Sequence, residues 1–284
     1  MANGAVAGLL TGLVYGLMAL GLSVIFGVVR VVNFAHGEMM SIAMYAAVVL
    51  FSSFGLDPFL AVLPVAAAFF VLGYALQAGL INPFITRPEH SQFMLLVAVA
   101  LIMVNGLLMV FGPDARTVQL DYLLESIELG PILVDRGKLY AALVALATSA
   151  GLFSLFRFTL VGKAIRACAD NHQGALVVGL NVKRYYALTF GLGSACVAVA
   201  GCMMILLVDV TPVLGPAYTL LAFVIVIVGG LGSMGGALLG GVLIGVSEAM
   251  AGLLIAPSAK SMFSFALLIL VLLFRPQGLL GRRA

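Results

Sequence analysis

Nine apolar segments, at about 5–29, 38–56, 59–82, 91–112, 138–156, 185–208, 218–230, 236–255 and 261–274, alternate with short polar ones along the 284-residue chain. Most approach the roughly 20 residues that a helix needs to cross a hydrocarbon core at 1.5 Å per residue. The pattern predicts an all-α polytopic membrane protein with about 8–9 transmembrane helices, forming one membrane domain over 1–284. Two places interrupt it, one in each half. Residues 218–255 run apolar for 38 residues, too long for one span, and are broken at Gly229-Gly230-Leu231-Gly232-Ser233-Met234-Gly235-Gly236. The first 56 residues repeat this layout, with the break at Asn33-Phe34-Ala35-His36-Gly37-Glu38. Paired interruptions point to discontinuous helices along a transport path. A tight turn at the membrane surface is the other reading of each.

Between the fifth and sixth apolar segments lies a polar stretch, 157–184, with five of the fourteen cations. Within it, Asp170 to Leu180 reads as a short helix with a start and a stop. Asp170 can cap the N-terminus, and Gln173, three residues on, completes a capping box. Gly179 supplies the left-handed C′ position and Leu180 its apolar C″ partner. The product is a rigid knob roughly 12 Å long, of a shape that a partner can grip.

Charge gives this knob a side. Positively charged loops stay in the cytoplasm, which places 157–184 and the tail (Arg275, Arg282, Arg283) there. Alternating outward, the cytoplasmic loops collect Arg30, Arg87, the five cations of 157–184 and three in the tail. The other face keeps Arg116, Arg136, Lys138 and Lys260 beside seven carboxylates. The N-terminus is therefore expected outside and the C-terminus inside. The first cation is Arg30, so residues 5–29 are expected to be a retained span rather than a cleaved signal. The loop 113–137 then lies on the outer face. With five acidic groups, it reads equally as a dock for a delivery protein or as a solvated connector.

Composition narrows the chemistry. At 63% hydrophobic and 9% charged, with mean hydropathy +1.23, the bilayer is the solvent. The chain lacks the phosphate-cradling pattern G-x-x-x-x-G-K-[ST], so nucleotide hydrolysis by this chain is not expected. No catalytic residue and no metal site emerges, because His36, His90 and His172 are scattered. Cys196 and Cys202 point about 240° apart on a helix and cannot bridge.

Glu38 and Glu248 lie within apolar runs, and carboxylates there are functional candidates by default. Glu38 also suits the first turn of a helix, where the dipole favours negative charge. Glu248, deep in its span, needs a polar partner or a wet cavity. Asn33 and His36 either cap the helix start or line a path, and Asn105 reads as interhelical glue. Glycines recur every four residues, at Gly4, Gly8, Gly12 and Gly16 and again at Gly232, Gly236 and Gly240. Gly241 and Gly245 add a further pair. Such stripes let helix backbones approach closely.

These stretches resemble one family. Asn33–Glu38 resembles the N-terminal signature of branched-chain amino-acid ABC transporter permeases. Arg166-Ala167-Cys168-Ala169 through Gly179-Leu180-Asn181-Val182 is similar to their cytoplasmic coupling loop. Residues Gly229–Ala237 and Arg275-Pro276-Gln277-Gly278-Leu279-Leu280-Gly281 resemble their C-terminal motifs. The order is right, nearly the whole chain is covered, and the first signature favours the H-type subunit. The resemblance implies an importer of the bacterial cytoplasmic (inner) membrane, with 113–137 periplasmic, in which this chain works with an M-type permease, two cytoplasmic ATPases and a periplasmic substrate-binding protein. ATP is then used by the ATPase subunits, no cofactor is bound by this chain, and no nucleic-acid partner is expected.

Carried onto this sequence, the resemblance makes Arg166, Asp170, Gln173, Ala175 and Gly179 the ATPase-coupling candidates. Asn33, His36, Glu38, Gly229, Gly230, Gly232 and Glu248 become the pathway candidates. Family members often carry glutamate where this chain has Gln173, which keeps a cap but gives up a charge. Leucine, isoleucine and valine are the family's commonest cargo, while relatives carry urea, amides or aromatic compounds. A self-contained secondary transporter, with Glu38 or Glu248 carrying protons, and a channel lined by Gly229–Gly236 are the competing classes.

Overall fold

The structure is a computed structural model that describes residues 1–120, 125–129, 132–256 and 259–281. Each of the nine apolar segments forms a helix. Seven are long and apolar enough to cross a membrane, and Gly215–Gly229 and Lys260–Phe274 are shorter apolar helices. In chain order the spans are α1 (Ala2–Val29), α2 (His36–Phe54), α3 (Pro58–Ala75), α4 (Glu89–Phe111) and α5 (Arg136–Phe158). Two short helices follow, α6 (Leu160–Asp170) and α7 (His172–Val177). The remaining spans are α8 (Val182–Met204), α9 (Gly215–Gly229), α10 (Met234–Leu254) and α11 (Lys260–Phe274). α3 runs on through a π-turn, Leu76–Ile81, and a 3-10 turn, Asn82–Phe84.

α1 and α8 form the buried centre, whereas α3, α4, α5 and α11 turn leucine, valine and methionine side chains outward. Lipid tails are as apolar as leucine, so close backbone packing has to hold such helices together. The glycine repeats supply it. A Cβ on Gly12 would come 2.8 Å from the Gly241 carbonyl oxygen, and one on Gly8 2.7 Å from that of Gly245. These repeats therefore seat α1 against α10, and Gly240 seats α10 against Ile225 of α9.

The two breaks resolve differently. α1 ends at Arg30, left-handed with φ 60°. The chain then doubles back through 31–35, so that His36 begins α2 beside Met18 of α1, with Nε2 2.9 Å from the Met18 carbonyl oxygen. That point lies about 16 Å of helix rise inside the end of α1, so the first break is internal to the membrane bundle. The second break is a tight turn at the bundle's end. Gly230 (φ 107°) and Gly232 (φ 78°) adopt backbone angles that suit glycine, and the Ser233 hydroxyl caps α10 by accepting from Gly236 N at 3.1 Å. The tail folds under this turn, where Leu279 N and Leu280 N donate to the last carbonyls of α9, Val228 and Gly229, each at 2.9 Å. The expected pairing of 33–38 with 229–236 is thus corrected. The internal counterpart of the first break is the start of α9 at Gly215, whose backbone touches Gly37 and Glu38.

One end of the bundle carries Arg30, Arg87, the cations of 157–184 and Arg275, while Arg282 and Arg283 lie outside the described residues. The other end carries a feature that the sequence reading lacked. Within 113–137, β1 (Ser126–Leu129) pairs antiparallel with β2 (Ile132–Asp135), Ser126 opposite Asp135. Arg136 and Glu125 close its base as an ion pair. Val134 packs on Leu10 and Ala142, and a cleft of about 310 Å³ separates the hairpin from the first turns of α1. Asp121 lies outside the described residues.

Candidate functional site: an intramembrane polar layer and a basic knob

The polar residues of the first break converge on α9. Asn33, His36 and Glu38 are all buried, at 3% exposure or less. The Asn33 Oδ1 accepts from Ala35 N at 3.1 Å, an Asx turn that leads into α2. Its Nδ2 lies 3.7 Å from the Met39 sulfur. His36 is held to α1 through Nε2, and its Nδ1 has no partner. The Thr219 hydroxyl in the first turn of α9 donates to Glu38 Oε2 at 2.8 Å and accepts from Gly37 N at 2.8 Å. One threonine thereby satisfies a backbone N–H and a carboxylate of α2, inside the bundle. A Cβ on Gly37 would collide with the Gly215 carbonyl oxygen and Thr219 N, so glycine is required at that crossing.

Glu248 lies on the other side of the same turn. Its Oε1 accepts from the Ser264 hydroxyl of α11 at 2.6 Å, and Tyr15 of α1 and Tyr218 of α9 face it. Tyr218 and Thr219 are consecutive, so the two intramembrane carboxylates flank a single turn of α9. By contrast Gly229, Gly230 and Gly232 form the turn at the bundle's end and lie apart from this layer. Asn105 is exposed and bonds the Leu101 carbonyl of its own helix at 2.7 Å; among the described residues it ties no second helix of this chain.

At the basic end, α5 stops at Phe158 and Thr159 caps α6, accepting from Gly162 N at 3.0 Å. The knob is real but its start is shifted by one residue. α6 runs to Asp170, and Asn171, not Asp170, caps α7 by accepting from Gly174 N at 2.9 Å. Gly174 therefore occupies N3, and Gln173, at N2, completes no capping box. The expected stop is present. Gly179 has φ 84°, Leu180 N donates to Ala175 O at 2.9 Å and Gly179 N to Leu176 O at 3.0 Å, the Schellman pattern.

Ala175 is 4% exposed and packs with Cys168 and Val182. It anchors α7 to α6 and α8 rather than facing outward. Burial pushes the Cys168 thiol above its ordinary range. Arg166 and Gln173 are exposed. The outermost surface is apolar, with Leu176 55%, Val177 87% and Val178 75% exposed. Such an apolar edge is a contact surface of the kind soluble faces seldom leave bare.

A family model described as "Branched-chain amino acid transport system / permease component" matches residues 4–272. The chain belongs to this permease family. It is 29% identical to the "High-affinity branched-chain amino acid transport system permease protein BraD" of Pseudomonas aeruginosa, over 98% of this chain and 94% of the relative. It is 29% identical to the permease protein LivH of Escherichia coli K12, over 97% and 94%. A "Probable branched-chain amino acid transport permease protein LivH" from Methanocaldococcus jannaschii is 28% identical over 93% and 88%.

In this permease, sequence reasoning found both carboxylates but not what holds them. Thr219, Ser264, Tyr15 and Tyr218 went unremarked. Threonine, serine and tyrosine in an apolar run give no sign of the partner helix. The one available cue was Gly215-Pro216, a helix-start dipeptide that placed Tyr218 and Thr219 in a first turn.

Proposed function

We propose that this chain is the membrane-spanning subunit of an ATP-driven importer for branched-chain amino acids, the cargo that its relatives' names carry. It works with a second, M-type permease, two cytoplasmic ATPases and a binding protein that delivers cargo at the hairpin-bearing face. The basic end lies in the cytoplasm of a bacterial inner membrane, as the clustering of cations there supports. α7 seats in a groove on an ATPase and carries its closure into α8, because Gly179–Asn181 ties the knob directly to that central helix. The observation that carries this reading is the apolar edge Leu176-Val177-Val178, exposed on a capped knob.

The test is Val177→Asp. The side chain is 87% exposed, so insertion and folding are retained, while a carboxylate in an apolar groove is costly to bury. Co-purification of the ATPases is expected to fall at least tenfold. Retention of the ATPases at wild-type level removes α7 from the docking role.

A further inference from the structure

The two carboxylates beside the first turn of α9 are held in different ways. Glu38 is 3% exposed, and Thr219 binds it while the crossing of Gly37 and Gly215 closes over it. Glu248 is only half-buried and is met by hydroxyls alone: Ser264 at 2.6 Å, with Tyr15 and Tyr218 alongside. Among the described residues the ion pairs are Arg136–Glu125 and Lys138–Asp135, both at the hairpin end. Lys260, the charged group on α11, lies against Gly252, one turn along α10 from Glu248. A carboxylate met by hydroxyl groups, with no ion pair to it among the described residues, is complementary to an ammonium group. Its oxygens accept N–H bonds, and the hydroxyl oxygens beside it can accept further ones.

We infer that Glu248, with Tyr15 and Tyr218, forms the subsite that takes the ammonium group of an amino acid passing through the bundle. This inference rests on the import reading above. Ser264 holds the carboxylate in place when no cargo is present. The position is the one that transporters use, beside a helix that begins within the membrane.

Two substitutions separate this role from simple attachment of α11, which buries little beyond Ser264 and Val271. Glu248→Gln keeps an acceptor for Ser264 and removes the charge. Ser264→Ala keeps the charge and removes the bond. In proteoliposomes holding the full complex with its binding protein, ATP-dependent uptake of radiolabelled leucine is measured beside ATPase activity and the melting temperature of the complex. Glu248→Gln is expected to lower uptake at least tenfold with melting unchanged and ATPase activity within twofold. Ser264→Ala, which leaves the charge in place, is expected to lower uptake by clearly less than Glu248→Gln does, and Glu248→Asp to recover part of what Gln loses. Wild-type uptake by Glu248→Gln, or equal losses in both variants with lowered melting, overturns the subsite. Absence of ATP-dependent uptake in the wild type strikes the import reading instead.

Discussion

Replacing Thr219 with valine removes one hydroxyl and, with it, the two bonds that tie α2 to α9 inside the bundle. Valine keeps the shape, so the loss is polar. The Gly37 N–H and one Glu38 oxygen are left buried without this partner. An unsatisfied buried group costs about 1–3 kcal/mol, which gives roughly 2–6 kcal/mol for two groups that cannot relax. Interhelical hydrogen bonds in membranes couple more weakly, near 0.6 kcal/mol on average and up to about 1.7, because the unfolded chain in a bilayer also finds partners. The glycine crossing leaves little room to re-pair, so a loss of about 1.5–3 kcal/mol is expected, between these limits. Thr219→Ser keeps the hydroxyl and gives up one methyl, about 0.8 kcal/mol at most. Unfolding in mixed micelles, followed by circular dichroism as the denaturing detergent fraction rises, measures both. A valine variant within 0.5 kcal/mol of wild type, or a serine variant as damaged as valine, refutes the bridge; that threshold is about the size of one ordinary membrane hydrogen bond.

Two further outcomes follow from the same packing. Gly12→Ala is expected to destabilise by about 1–3 kcal/mol, since its Cβ would press on the backbone of Gly241 and Val242. Gly106→Ala, with open space at that position, is expected to be neutral or to stabilise by up to about 1 kcal/mol; thermal unfolding of the two purified variants checks the pair. The buried Cys168 thiol, with its pKa raised by burial, is expected to react with maleimide at pH 7.5 at least tenfold more slowly in the folded protein than in detergent-denatured chain. The sign for stability follows. A thiol kept neutral by the fold contributes below the ordinary thiol range, and that contribution is lost as alkaline pH ionises the unfolded chain first.

How much of this was legible depended on whether a residue's role was local. Nine apolar segments became nine helices because length and apolarity alone decide what crosses a bilayer. The glycine repeats foretold close helix approach, since a four-residue spacing puts a smooth stripe on one helix face, but not that α1 and α10 are the pair. Gly179 was readable because its backbone angle favours glycine. The cap before it was misread by one residue: Asp170 and Asn171 are both good capping types, and only the length of α6 chooses between them. The hairpin was missed although the sequence holds Gly130-Pro131, a turn-marking dipeptide, between two four-residue runs too short to stand out. The polar layer was half-legible. A carboxylate in an apolar run announces itself, but a threonine 181 residues away that binds it does not. The break that looked like its mate by composition, 229–236, was a surface turn, because glycines serve tight turns and close crossings alike.

The central claim, that this permease moves amino acids only when partner ATPases drive it, is tested most directly by reconstitution. The chain is placed in liposomes with its second permease and ATPases, ATP is enclosed, and binding protein loaded with radiolabelled leucine is added outside. The account predicts uptake that requires enclosed ATP and binding protein together and disappears with Val177→Asp. Leucine uptake by this chain alone, driven by an imposed proton gradient without ATPase or ATP, would contradict it.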